Sequence, residues 1–312
     1  MTLRKNFIIY LSLILILFSC NVLEVVDRKQ QKKFTKEDFT VHNFTSDSST
    51  HHVRFRDTGK PRLMLLHGYG ASGVGQYYRA ALDLSDQYDI ILPDLLHNGR
   101  SKSVSGDFSI DAQVEHVRLI LDSLKITEPI AVIGNSYGGI VASYFADRYP
   151  ERIAKLGIYD SPVLHYTGQY ADSIAKAMGV GDIRNLLSPR TVFENKKSLD
   201  VVFHDQPFIP RFLRRQMVKY GSLPVRDRQI KLLEFLLENE VAMNNYKFVW
   251  KMPVYILWGR HDQLIPISTA ERIIRDYNIP ESRVFIFENA AHAVNVEHPD
   301  EFVDAVRKIM EN

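Results

Sequence analysis

The chain has 312 residues, 45% of them hydrophobic and 24% charged, a composition that excludes disorder, a collagen-like repeat and a polytopic membrane protein. Lysine and arginine total 39 against 37 aspartate and glutamate, and Arg4 and Lys5 account for the excess. A chain so close to neutrality has little to offer a phosphate backbone, so nucleic acid is excluded as a partner.

The chain opens on Phe7–Phe18, FIIYLSLILILF, an apolar run shorter than the roughly 18–20 residues that span a bilayer as a helix. With Arg4 and Lys5 before it and Cys20, the sole cysteine, just after it, this start resembles a bacterial lipoprotein signal. The expectation is a signal peptide over residues 1–19, a lipid on Cys20, and an exported protein anchored at the periplasmic face or cell surface. A single cysteine forms no internal disulfide, so the core must hold the fold. Residues 20–38, including DRKQQKKFTKED, read as a hydrophilic tether.

From residue 39 onward, short strand-like runs alternate with helical patterns. FTVHNF (39–44) and HHVRFR (51–56) alternate as antiparallel strands do. RLMLLHG (62–68), YDIILPD (88–94) and PIAVIGNS (129–136) are continuous apolar runs of the kind that form buried parallel strands. Helical spacing marks 110–124 and 137–149, the latter stopped by Pro150. Strands follow at 153–159, 253–259 and 282–288, with helices at 268–277 and 299–310. Strands alternating with helices predict an α/β fold, a mostly parallel sheet covered on both faces. Residues 161–249 carry helical patterns and no strong strand signal, as in Ile230–Met243 (IKLLEFLLENEVAM). They predict a helical cap inserted between a first core segment, 39–160, and a second, 250–312.

The chemistry concentrates at the strand ends. Gly134-Asn135-Ser136-Tyr137-Gly138 is G-x-S-x-G between a buried strand and a helix, where a sharp turn exposes the serine hydroxyl. The helix start and the Tyr137 N–H then face any oxyanion formed on a substrate. His67-Gly68-Tyr69-Gly70 leaves an earlier strand, and the Tyr69 N–H is the candidate second donor. Asp262 in WGRHDQLIP and His292 in FENAAHAVNVEHPDEF each follow a later strand, at the same sheet end as Ser136. They complete a candidate triad in the order serine, acid, histidine. Asp160 ends the strand KLGIYD and is a second candidate acid, although Ser161 and Pro162 give it a turn role instead. Phe203, Phe208, Ile209 and Phe212 are candidate acyl-pocket residues or, equally, a small core of the cap. No HxxxH or cysteine-rich cluster calls for a metal, and no G-x-G-x-x-G follows the first strand, so no cofactor is expected.

Taken in order, HGYG, GNSYGG, GRHDQLIP and AAHAVNVEHPDEF resemble the α/β-hydrolase superfamily over roughly residues 38–312. The loop DLLHNGRS (94–101) departs from the family pattern D-L-x-G-x-G-x-S at His97 and Asn98. The stretch LLSPRTVFENKKSLDVVFHDQPFIPRFLRRQM is similar to capped bacterial lipases and monoacylglycerol-lipase-like esterases. That resemblance implies a serine hydrolase acting on carboxylic esters, small-molecule or lipid, through an acyl-enzyme. GNSYGG and WGRHDQLIP are equally similar to meta-cleavage C–C bond hydrolases, which usually carry an aromatic residue where this chain has Ala293. A non-catalytic binding protein on the same fold is the contrasting class.

Overall fold

The computed structural model describes residues 21–46 and 49–312. The apolar run and Cys20 therefore lie outside the described residues, and no described helix is long and apolar enough to cross a membrane.

The frame is a nine-stranded sheet. Its strands are β1 (Thr40–Ser46), β2 (Ser49–Phe55), β3 (Arg62–Leu66), β4 (Asp89–Asp94), β5 (Lys102–Ser103), β6 (Ile130–Asn135), β7 (Ile153–Tyr159), β8 (Val254–Gly259) and β9 (Val284–Phe287). They run in the order β1-β2-β4-β3-β6-β7-β8-β9, with the short β5 beside β2. β1 and β2 pair antiparallel, as do β2 and β4, whereas β4, β3, β6, β7, β8 and β9 are parallel neighbours. The apolar runs are continuous because both faces are buried. In β3, Leu63 and Leu65 join the core on one face while Met64 and Leu66 join the core on the other. In β8, Tyr255 and Leu257 divide from Ile256 and Trp258 in the same manner.

Helices α2 (Gly73–Leu84) and α13 (Pro299–Glu311) cover one face, and α3 (Ile110–Ser123), α4 (Tyr137–Arg148) and α11 (Ile267–Asp276) cover the other. Between β7 and β8 the chain is helical: α5 (Gly168–Ala177), α6 (Ile183–Leu187), α7 (Val192–Val202), α8 (Arg211–Gln216), α9 (Arg226–Glu238) and α10 (Glu240–Asn245). A π-helical stretch, Met217–Ser222, continues α8. The single helix expected over 230–243 is two, α9 and α10, because the chain leaves helical geometry at Asn239. A last short helix, α12 (Val294–Glu297), precedes α13.

The reading of residues 20–38 as a tether is corrected over most of its length. Val22–Lys36 is a helix, α1, capped by the Asn21 side chain, which accepts from the Glu24 N–H. One residue, Phe34, is fully buried and meets Phe39 edge to face at 4.6 Å. Arg54 reaches the Gln31 side chain, and Asp27 pairs with Arg100 at 3.0 Å. At the other end the Val22 N–H donates to Gln216 Oε1 of α8 at 2.7 Å. The lysines that made the segment look like linker lie on the solvent side of this docked helix.

Candidate active site

Ser136 stands between β6 and α4 with φ 52° and ψ −118°, a strained conformation for a residue with a side chain. The turn closes because its neighbours lack side chains. A Cβ on Gly134 would lie 2.2 Å from the Gly138 carbonyl, and one on Gly138 would lie 2.4 Å from the Leu66 carbonyl. The backbone is pinned as well. The Ser136 N–H donates to the Tyr159 carbonyl at 2.8 Å, and the Ser161 hydroxyl donates to the Ser136 carbonyl at 2.6 Å.

His292 lies past β9, between Ala291 and Ala293, and is buried. Its Nδ1 is 2.7 Å from Asp262 Oδ2. Asp262 Oδ1 accepts the N–H groups of Leu264 and Ile265, each at 2.8 Å, so the carboxylate is fixed by three donors. That bond holds Nδ1 as the protonated nitrogen and leaves Nε2 to take a proton. Ser136 and His292 line one cavity of about 840 Å³. Neither the Tyr69 N–H nor the Tyr137 N–H has an acceptor among the described residues, which leaves both available to a developing oxyanion.

Asp160 occupies the same buried cluster. Its Oδ1 accepts the Gly259 N–H at 2.9 Å, and its Oδ2 is buried without a partner. Burial, and then the nearby Asp262 charge, raise its pKa well above the ordinary carboxyl range. Asp160, Asp262 and His292 offer ligand atoms within 4.8 Å of one another. Those of Asp262 and His292 are already occupied by mutual and backbone hydrogen bonds, so the cluster is organised for proton chemistry rather than as a metal cage.

Of the four cap residues considered for an acyl pocket, Phe203 lines the cavity and the others do not. Phe208 is 90% exposed and Phe212 37% exposed, and Ile209 is half-buried away from the lining. The apolar wall comes instead from Leu187, Met217, Leu233, Leu236, Leu264 and, unexpectedly, Leu23 of α1.

Several supporting residues carry no motif. Gln76 of α2 accepts the Gly68 N–H at 2.8 Å and donates to Asn135 at 2.7 Å, joining the two loops that bear Tyr69 and Ser136. Asn98, in the loop whose His97 stands where the family pattern has glycine, accepts the Gly70 N–H at 3.1 Å. Its neighbour His97 adopts φ 67°, the conformation a glycine would favour, and bonds the Asp107 carbonyl at 2.6 Å. His67 is structural: buried, it accepts the Leu95 N–H at 2.9 Å. Glu297 binds the N–H groups of Ala291, His204 and Asp205.

The sequence matches the family model for the alpha/beta hydrolase fold over residues 61–299. The chain belongs to this family. Among curated relatives, Lipase 1 of Psychrobacter immobilis is 28% identical over 293 residues, covering 90% of this chain and 88% of that protein. A 2-hydroxy-6-oxononadienedioate/2-hydroxy-6-oxononatrienedioate hydrolase of Paraburkholderia phymatum is 29% identical over 261 residues, covering 80% and 88%. The crystal structure of a bacterial membrane phospholipase A superposes with a TM-score of 0.73 at 23% identity, covering 98% of each chain, and shows the shared fold.

Proposed function

We propose that this α/β-hydrolase is a carboxylic ester hydrolase in which Ser136, His292 and Asp262 form the catalytic triad. The observation that carries the reading is the strained Ser136 sharing a cavity with a His292 already oriented by Asp262. Ser136 Oγ attacks the ester carbonyl and passes its proton to His292 Nε2, while Asp262 stabilises the imidazolium. The oxyanion lies between the Tyr69 and Tyr137 N–H groups. His292 returns the proton to the departing alcohol, and a water activated by the same nitrogen then releases the acid from the acyl-enzyme. The size of the cavity and its apolar wall favour a lipid ester.

The relative that hydrolyses 2-hydroxy-6-oxo acids supports a second reading, C–C bond cleavage. Ala293 and the apolar wall favour esters. One experiment tests both. Ser136→Ala should abolish fluorophosphonate labelling and lower p-nitrophenyl ester hydrolysis by roughly 10³–10⁶ in folded protein. Labelling that survives the change removes Ser136 from the mechanism, and a higher kcat/KM on a ring-fission product than on any ester reverses the ranking.

We also propose that Cys20 carries lipid and anchors the enzyme at a membrane. Multiple acyl chains hold firmly where a single one is marginal, so Cys20→Ser should move active enzyme into the soluble fraction. Unchanged membrane recovery would make Phe7–Phe18 the anchor.

A further inference from the structure

Across residues 206–226 the cap carries Arg211, Arg214, Arg215, Lys219 and Arg226 and no acidic residue. Arg211, Arg215 and Lys219 recur at four-residue spacing along α8 and its continuation, and all are exposed. None of the three has a carboxylate within ion-pairing distance among the described residues, although carboxylates pair with cations over much of the remaining surface. Interleaved with them are the exposed side chains of Phe208, Tyr220 and Leu223, with the Lys219 ammonium 4.8 Å from the Tyr220 ring centroid. Scattered apolar exposure is ordinary. Uncompensated cations alternating with exposed aromatic and aliphatic groups on one segment are not.

Two further observations say what covers this face. The described chain begins beside it, because α1 enters by the Val22–Gln216 bond, and the residue immediately preceding Asn21 is Cys20, the proposed lipid-bearing residue. The substrate cavity also reaches this edge: Leu23 of α1 and Met217, Gly221 and Val225 of the cap line it together with Ser136.

We propose that the face formed by Phe208, Arg211, Arg215, Lys219, Tyr220 and Leu223 docks on an anionic lipid leaflet, so that the cavity edge beside α1 faces the bilayer from which substrate is drawn. The apolar side chains enter the headgroup region and the cations lie at its negative surface. Docking of the cap is separate from anchoring by the N-terminus, since an anchor alone leaves the orientation of the enzyme free. The direction of substrate entry rests on the ester-hydrolase reading, whereas the docking does not.

The test uses the full chain carrying Phe208→Trp, reconstituted into phosphatidylcholine vesicles with or without phosphatidylglycerol and containing brominated acyl chains. Fluorescence is read against the same chain with Phe208 intact, which retains Trp250 and Trp258. The added tryptophan should shift to the blue and be quenched in anionic vesicles. Adding Arg211→Glu, Arg215→Glu and Lys219→Glu should lower the docked-to-undocked ratio by about two orders of magnitude, at about fivefold for each basic residue. The same charge reversal should cut hydrolysis of a vesicle-borne ester at least tenfold and leave a soluble short-chain ester unaffected. Absence of quenching in anionic vesicles overturns the docking, as does quenching that is equal in neutral lipid and indifferent to charge reversal. A concentration-dependent blue shift before vesicles are added assigns the face to a second copy of the chain and also overturns it. Failure of the ester-hydrolase reading would look different: no ester turned over, with the quenching intact.

Discussion

Asp160 and Asp262 sit side by side in one buried cluster, and their partners separate their roles. Asp262 faces His292 and accepts two amide N–H groups, as an ionised acid in a triad requires. Asp160 has one amide partner and an orphaned oxygen, and burial beside a second carboxylate raises its pKa and so favours its neutral form. Both residues follow strands, β7 and β8, and it is Asp262 whose carboxylate meets His292. Their adjacency was not legible in the sequence, because it depends on how β7 and β8 pair. Asparagine is the neutral isostere of a protonated aspartate, so Asp160→Asn should keep most activity. Asp262→Asn should lower kcat by about 10⁴ near neutral pH, through the wrong histidine tautomer. The stability sign follows from linkage. A carboxyl whose pKa is raised on folding makes stability fall as pH rises from the unfolded value towards the folded one. Asp160→Asn removes that loss, and urea midpoints should show the variant more stable than the parent at pH 7, with the gap closing as pH approaches the ordinary carboxyl pKa. A variant that is inactive and no more stable would give Asp160 the role of acid.

At the level of elements, strands and core helices were readable because burial on both faces writes continuous apolar runs and long helices write their spacing. Two gaps have physical causes. α1 was read as linker because one buried phenylalanine and polar bonds to Gln31, Asp27 and Val22 fix it, too little apolar periodicity to register. Phe203, Phe208, Ile209 and Phe212 stay open between acyl wall and cap core in the sequence, which cannot say which side of a short helix faces inward; of the four only Phe203 lines the cavity. Glu297 was equally invisible, one acid among several before α13. It joins the loop of the catalytic histidine to the cap, since one carboxylate oxygen holds the N–H groups of His204 and Asp205 and the other holds that of Ala291. The His292 N–H in turn donates to the Val202 carbonyl at the end of α7, at 3.1 Å. A histidine displaced by about 1 Å costs roughly a hundredfold in rate. Glu297→Ala should therefore lower kcat on a soluble ester by ten- to a hundredfold, with KM changed far less. Glu297→Gln, whose amide oxygen still accepts, should recover part of the loss. Equal kcat in both variants and the parent would show that the cap does not position His292.

For the molecule as a whole, the response to acid is set by histidines buried where the antiparallel end of the sheet meets α3. The Ser46 hydroxyl is 2.9 Å from His51 Nε2, His51 Nδ1 is 2.7 Å from His116 Nδ1, and His116 Nε2 is 2.9 Å from the Asp94 carbonyl. Because the carbonyl only accepts, His116 Nε2 carries hydrogen, its Nδ1 accepts from His51 Nδ1–H, and His51 Nε2 accepts from Ser46. Every position is filled with both rings neutral; a proton added to His116 forces His51 into its other tautomer, and protonating both rings would set two N–H groups against each other. Burial accordingly lowers the pKa of His116 to about 3, and it lowers those of His51, His52, His67 and His97 as well. The sign is opposite to that of Asp160. A histidine kept neutral by the fold costs nothing above its unfolded pKa of about 6.5. It then destabilises as pH falls and the unfolded chain takes up the proton, at up to about 1.4 kcal/mol per pH unit for a ring such as His116. Asp160 opposes this with one group against several, so net stability should drop steadily between pH 6 and pH 4. His116→Gln can still donate to the Asp94 carbonyl and does not titrate. It should reduce the slope of unfolding free energy against pH in that window by about 1.4 kcal/mol per unit, measured by urea denaturation. An unchanged slope would place the acid sensitivity elsewhere in the chain.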